Sequence, residues 1–264
     1  PAMTDMTYEV ADRIATITLN RPERMNTISS AMLDELTRTL VRANEDEAVR
    51  VVVLTGTVRA FCAGLDLNEA ASGTGIGGKD RRAPATIDLR NAPPTVLFAM
   101  DKPVICALNG SAAGYGMDLA LGCDIRIMAD NAKLAAAFVK RGVVPESGGT
   151  WFLPRMLGWA KAAEIIFTGR TLGAAECLAE GLVNQVVPAD QVADAALAMA
   201  REIAANAPLA VRARKRLMRM GLEETFETHV QHVYLQLLPL FASEDFGEGV
   251  KSFLEKRPAA FKGR

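Results

Sequence analysis

The sequence is short of histidine and has no ordered pattern of cysteine. Its 264 residues hold two histidines, His229 and His232, and four cysteines, Cys62, Cys106, Cys123 and Cys177. So little histidine argues against a Ser-His-Asp hydrolase, and Ser111 lies in GSAAG rather than in the GxSxG of a nucleophile elbow. His229 and His232 stand three apart with neither an HExxH pattern nor a third ligand, so they read as a helix-surface or interface pair and no metal is expected. The cysteines have no CxxC spacing and read as reduced, mostly buried thiols rather than as a disulfide framework or a zinc site. An excess of charge of one sign is also missing. Thirty Lys and Arg face 31 Asp and Glu, a net charge of −1, which does not point to a nucleic-acid surface. No apolar run reaches the roughly 18 residues of a membrane span. The first residues have neither the basic region nor the apolar segment of a signal peptide. A cytoplasmic location without membrane or nucleic-acid partner is expected.

What is present is an ordinary globular composition, half of it hydrophobic, arranged as alternating strand and helix patterns. IATITL (14–19) alternates and is rich in β-branched residues, as a strand requires. In SSAMLDELTRTLVRANED, Met32, Leu33, Leu36, Leu40 and Val41 recur at helical spacing, with Ser29 or Ser30 as N-cap. VRVVVLTG, KPVICALNG and DIRIMA are continuous apolar runs of the kind found in fully buried strands. VNQVVP reads as a further short strand. AFCAGLDLNEA and YGMDLALGC lead into helices, and TWFLPRMLGWAKAAEIIFTG reads as one helix with Pro154 near its first turn. AAECLAEGL is a short helix, and from Ala189 onward the pattern is helical throughout. The expectation is an α/β core over 1–190 and a helical extension of the same domain over 191–264. The Gly-rich stretch 72–84 breaks the pattern. Its G-x-G-x-x-G at Gly73, Gly75 and Gly78 lacks the preceding strand and following helix of a dinucleotide loop, and Gly78-Lys79 is not followed by Ser or Thr. It reads as a surface loop, a lid at most.

Two segments are built alike. VVVLTGTVRAFCAGLDL and VICALNGSAAGYGMDL each run from a buried strand through a turn to an Ala-Gly pair and a helix start. A helix start offers unpaired N–H groups and the positive end of a dipole, and small residues let a ligand approach the backbone. Either corner alone is explained by tight strand–helix packing. Side by side they would aim the N–H groups of Leu65 and Tyr115 at one oxygen, as in an oxyanion hole.

With these corners the chain resembles the enoyl-CoA hydratase/isomerase (crotonase) family. The resemblance runs from about Tyr8 to Arg264. It rests on ITLNRPERMNTIS, RAFCAGLDL, KPVICALNGSAAGYGMDLALGCDIRI, PESGGTWFLPRMLG, FTGRTLGAAECLAEGLVNQVVP and EDFGEGVKSFLEKRPAAFKGR, in that order. It implies an α/β, crotonase-like spiral of ββα units with a helical C-terminal trimerisation region, assembled as a homotrimer or a dimer of trimers. It also implies acyl-CoA thioester substrates, with coenzyme A part of the substrate and no separate cofactor. The thioester oxygen would sit between the Leu65 and Tyr115 N–H groups, where each donor to an oxyanion is worth about 3–4 kcal/mol. By the same likeness, Arg24 and Arg59 would meet the CoA phosphates. Ala63, Asp66 and Leu67 would line the adenine end, and Phe253 and Lys256 would reach CoA from the C-terminal helix.

An enolate needs a base to make it and an acid to quench it. Asp118 follows Tyr115 by three residues, which on a helix leaves their Cβ atoms about 5–6 Å apart on one face. It matches the first catalytic glutamate of the family's hydratases, one methylene shorter. The second falls on Phe138, an aromatic ring in place of an acid. Eight residues on is Glu146, where isomerase branches of the family carry a carboxylate, among them dienoyl-CoA isomerases and ring-opening epoxyphenylacetyl-CoA isomerases. By itself Glu146 is also explained as a charge before a helix. The expected mechanism has Glu146, with or without Asp118, moving a proton along an unsaturated acyl chain. Phe138, Trp151, Phe152 and the 72–84 loop would form the acyl pocket. The alternatives are an enoyl-CoA hydratase or dehydratase using Asp118 and Glu146 as an unusual pair, and a catalytically silent acyl-CoA-binding protein.

Overall fold

The computed structural model describes residues 4–72 and 92–264. All but the first residue of the Gly-rich stretch 72–84 lies outside the described residues. The chain opens with a hairpin, β1 (Met6–Ala11) and β2 (Ile14–Leu19), joined by Asp12 and Arg13 at φ 52° and 65°. Two positive φ values in a two-residue turn match the right-handed twist of the strands. Helix α1 (Ser30–Glu45) follows. Ser29 caps it by accepting the Met32 N–H at 3.2 Å, and Met32, Leu36, Leu40 and Ala43 are buried at helical spacing.

The chain then winds in steps from one sheet to another. β3 (Val51–Gly56), β5 (Val104–Leu108) and β7 (Ile125–Ala129) lie parallel in a six-stranded sheet of order β1-β2-β3-β5-β7-β10, with β10 being Gln185–Val187. Each is followed at once by a three-residue strand, β4 (Ala60–Cys62), β6 (Ser111–Ala113) and β8 (Lys133–Ala135). These form a second sheet that β9 (Thr171–Gly173) completes. Helix α2 (Leu67–Ser72) leaves β4 and helix α4 (Tyr115–Gly122) leaves β6, so the repeated strand–strand–helix unit of a spiral is visible. The VVVL, VICAL and IMA runs are buried because helices cover the large sheet. Helix α3 (Pro93–Ala99) packs on α1 and α4. Helix α8 (Val192–Ala204) lies across β3, β5 and β7 with Ala196, Ala200 and Ala204 turned inward, so its backbone approaches the sheet closely.

The structure departs from the sequence reading in three places. Gly158, at φ 76°, splits the expected 150–169 helix into α5 (Gly149–Leu157) and α6 (Trp159–Thr168). The short strands β4, β6, β8 and β9, together with β1 and α3, carry too few patterned residues to be read from periodicity. Of the expected apolar face of α1, Val41 is exposed, and Leu33 packs at the edge of the core where it also lines a cavity. The short helix α7 (Ala174–Ala179) precedes β10 as expected. The C-terminal helices α9 (Pro208–Met220), α10 (Phe226–Phe241) and α11 (Glu244–Leu254) extend from the core. His229 and His232 both face Glu224, at 3.3 and 2.8 Å.

Replacing Ala200 by Leu forces extra methyl groups between α8 and the sheet. The expected outcome is a loss of about 1–3 kcal/mol in a denaturant melt, whereas Ala195→Leu, at a half-buried position of the same helix, should cost less.

Candidate active site

Two close backbone approaches build the site. A methyl on Gly116, in the first turn of α4, would stand 2.1 Å from the Cys62 carbonyl oxygen at the end of β4. One on Gly64, at φ 107°, would stand 3.1 Å from the Ala113 oxygen and 3.8 Å from the Tyr115 nitrogen. The two Ala-Gly corners are therefore in contact, and only glycine permits it. Two asparagines hold the first corner. Asn26 donates to the Thr57 and Ala60 oxygens at 3.0 and 2.8 Å, and Asn109 donates to the same Ala60 oxygen at 3.1 Å. The ITLNRPERMNTIS motif thus supplies a side chain that pins the β3–β4 turn.

Around Leu65 the neighbouring amides are in use. Ala63 N–H donates to the Met25 oxygen and Asp66 N–H to the Ile28 oxygen, both at 3.0 Å. The N–H groups of Leu65 and Tyr115 have no hydrogen-bond partner among the described residues. A donor left unpaired inside a protein is costly, and both of these residues line one cavity. That cavity, about 290 Å3, is lined by Leu65 and Tyr115 together with Leu33, Phe138, Val143 and Glu146. Ala63, Asp66 and Leu67 line it as well.

The carboxylates differ sharply. Asp118 is 2% exposed and does not line the cavity. Its Oδ2 accepts the Ser147 hydroxyl at 2.8 Å and the Gly149 N–H at 2.9 Å. Burial pushes its carboxyl up to about 7 against the pull of those two bonds, and the charge of Glu146 adds to the rise. Glu146 is exposed as a residue but its carboxyl borders the apolar cavity, and desolvation raises its pKa against the pull of its own backbone N–H. Burial, and then the charges of Glu146, Cys62 and Asp118, raise the Tyr115 phenol. Asp66 behaves oppositely. Burial would raise its carboxyl, but the Asn68 N–H and the Arg21 and Arg24 guanidiniums, each at 3.1 Å, outweigh burial and hold it low.

The expected site residues fall into two groups. Leu65, Tyr115, Glu146, Phe138, Ala63, Asp66 and Leu67 converge on one cavity, with Asp118 behind it and Arg24 attached through Asp66. Arg59 sits exposed on the β3–β4 turn and does not line the cavity. Trp151 and Phe152 stack edge to face with each other at 5.2 Å and line a separate groove with Phe98 and Arg219. Phe253 is exposed on α11, in a groove with Phe241 and Phe246, and Lys256 lies exposed just beyond it. Ser147, which holds Asp118, and Arg141, which lines the cavity, escaped sequence reasoning. PESGG reads as a turn and nothing local points its serine at an acid on another helix, while Arg141 reads as an ordinary surface charge.

A family model described as enoyl-CoA hydratase/isomerase matches residues 9–264. The chain belongs to the enoyl-CoA hydratase/isomerase family. Its relatives include the 1,2-epoxyphenylacetyl-CoA isomerase of Escherichia coli, 38% identical over 95% of each chain. The 2,3-dehydroadipyl-CoA hydratase of the same organism is 35% identical over 99% of this chain and 100% of the relative. Among solved structures, an enoyl-CoA hydratase from Bacillus anthracis superposes with a TM-score of 0.90 at 35% identity, covering 99% of this chain and 100% of that one. The fold of this family is the crotonase spiral that the two stepped sheets display.

Because the folded-state pKa of Asp118 lies above the usual value, the unfolded chain releases that proton first as pH rises. The associated stability is full below about pH 4 and is lost as pH climbs to about 7. Asp118→Asn cannot ionise. Its melting advantage over wild type should grow across that window to the order of 3–4 kcal/mol; thermal melts from pH 4 to 8 check this, and a gap that does not change with pH would contradict it.

Proposed function

We propose that the chain shifts the double bond of an enoyl-CoA, with Glu146 as the proton carrier. The observation that carries this reading is the company Glu146 keeps. It shares a cavity with two residues whose N–H groups are unpaired and with the aromatic side chain of Phe138. The thioester oxygen accepts from Leu65 and Tyr115 N–H. The Glu146 carboxylate takes a proton from C2 of a 3-enoyl chain, and the electron pair spreads over the dienolate onto the thioester oxygen. The same carboxyl then returns the proton at C4, leaving the conjugated 2-enoyl-CoA. A raised carboxyl pKa suits a group that must both accept and return a proton near neutrality.

The family holds both hydratases and isomerases, and hydration is the second reading. It is favoured by the presence of a second carboxylate, Asp118. Against it, the Asp118 oxygen nearest the Glu146 loop is already occupied by two donors, and Phe138 gives no grip on a water. On either reading the substrate is an acyl-CoA thioester that brings its own coenzyme A. Arg24, Asp66 and Leu67 extend the cavity toward the nucleotide end, while Arg59, Phe253 and Lys256 come to the ligand from outside the cavity wall. Helix α10 buries none of its residues within one chain, and Tyr234, Leu235, Leu238 and Phe241 stand exposed on it. This supports a homotrimer or a dimer of trimers, and a cytoplasmic setting fits the substrate.

Incubation in D2O with a 3-enoyl-CoA, followed by mass spectrometry, should show deuterium uptake and a conjugated product. Glu146→Gln should lower the rate by about 100- to 10,000-fold, the usual worth of a positioned acid–base group. A mass gain of one water on 2-enoyl-CoA, without exchange on the 3-enoyl isomer, would establish the hydratase instead. Analytical ultracentrifugation should return three or six chains per particle; a monomer would contradict the assembly.

A further inference from the structure

Asp118 stands where the family's hydratases carry an acid, yet its surroundings are those of an anchor. Its Oδ2 receives one hydrogen bond from the Ser147 hydroxyl and one from the Gly149 N–H. These donors sit one and three residues after Glu146, on the loop that leads into α5. Ser147 is fully buried and does not line the cavity. A methyl on Gly149 would lie 2.5 Å from Oδ1 and 2.9 Å from Oδ2, so the loop backbone rests directly on the carboxylate. Gly148, at φ 104°, supplies the left-handed turn that brings both donors to one oxygen. No other hydrogen bond to the Asp118 side chain is found among the described residues.

We propose that Asp118 and Ser147 form a clasp that fixes the loop carrying Glu146, so that Ser147 is a positioning residue and Asp118 acts through Glu146 rather than on the substrate. This rests on the reading of Glu146 as proton carrier. Hydrogen bonds to an ionised carboxylate are roughly twice as strong as those to a neutral one, so the clasp is tight while Asp118 is charged and slack once it is protonated. The groups that bear on that charge are few. Glu146 faces it from the loop, Tyr115 from its own helix, and the Cys62 thiol of β4 stands beside Tyr115. Helix α3 and strand β6, also packed on α4, carry no titratable side chain, and the one charge on α5, Arg155, is stacked on Trp151 at 3.9 Å.

The test compares Ser147→Ala, Ser147→Thr, Asp118→Asn and Glu146→Gln by steady-state isomerisation of a 3-enoyl-CoA from pH 5 to 9. Removing the hydroxyl should lower kcat by about tenfold, the scale of one charge-assisted hydrogen bond, with little change in KM, because Ser147 lines no part of the cavity. It should also move the acid limb of the rate profile to higher pH, since the lost bond had favoured the ionised form. Threonine, which keeps the hydroxyl, should restore most of kcat and return the limb. In Asp118→Asn the side-chain oxygen still accepts both bonds but no longer titrates. The part of the limb set by Asp118 should disappear, and kcat should fall far less than in Glu146→Gln. A loss in Asp118→Asn as deep as in Glu146→Gln would make Asp118 a proton carrier and overturn the proposal. So would an unaltered kcat and pH profile in Ser147→Ala. If no enoyl-CoA is isomerised, the parent reading fails, and carbon-13 NMR titration of the labelled carboxyls then decides the clasp without turnover. Asp118 must titrate later in Ser147→Ala than in wild type, and an unshifted titration would dispose of the clasp.

Discussion

The site depends on one contact between two backbones, the approach of Gly116 to the Cys62 carbonyl. With no Cβ between them, the first turn of α4 presses against the end of β4, and the parallel pairing of β4 with β6 holds that registry. Everything that follows is a consequence of this distance. Gly64 meets Ala113, the unpaired N–H groups of Leu65 and Tyr115 come to face one cavity, and Asp118, one turn further along α4, is brought beneath the loop that carries Glu146. A side chain at position 116 would open the helix from the strand and separate the two donors.

Stability and chemistry pull against each other around α4. Every residue from Tyr115 to Leu121 is buried, and one of the seven is an acid. Burying a carboxylate costs free energy unless donors surround it, and Asp118 has two, on one oxygen. The cavity wall repeats the theme on a smaller scale, with Glu146 at an apolar edge and Asp66 neutralised by two arginines a few residues from the same backbone corner. One carboxylate is thus lifted by its surroundings and the other held down, within a single pocket.

Much of this was legible in the sequence, for physical reasons. Continuous apolar runs such as VVVL and VICAL, rich in β-branched residues or bounded by turn residues, read as interior strands, and the paired Ala-Gly corners suggest a backbone that is approached closely. The α1 spacing was legible too, and the structure chooses Ser29 over Ser30 as its cap. What escaped notice was set by contacts between residues distant along the chain. The three-residue strands of the second sheet are too short to show a period. The break at Gly158 is a matter of one backbone angle. The hydroxyl of Ser147 finds its acceptor on another helix, and Trp151 and Phe152 turn to a groove shared with α9 because α5 begins only after the Gly148 turn. Phe253, on α11, and Lys256, just beyond its end, do not line the cavity of their own chain.

On the proposed reading the donors to the thioester are peptide N–H groups, and that has an evolutionary consequence. Any residue except proline at positions 65 and 115 carries the same hydrogen, so a substitution there keeps the donors wherever the packing around the buried Tyr115 and half-buried Leu65 accepts it. Leucine and tyrosine are what this chain displays; other side chains would reshape the acyl wall and leave the polar pair intact. A scaffold of this kind can change its diet through point substitutions while its central machinery is inherited unaltered, because that machinery is written in the backbone rather than in the side chains.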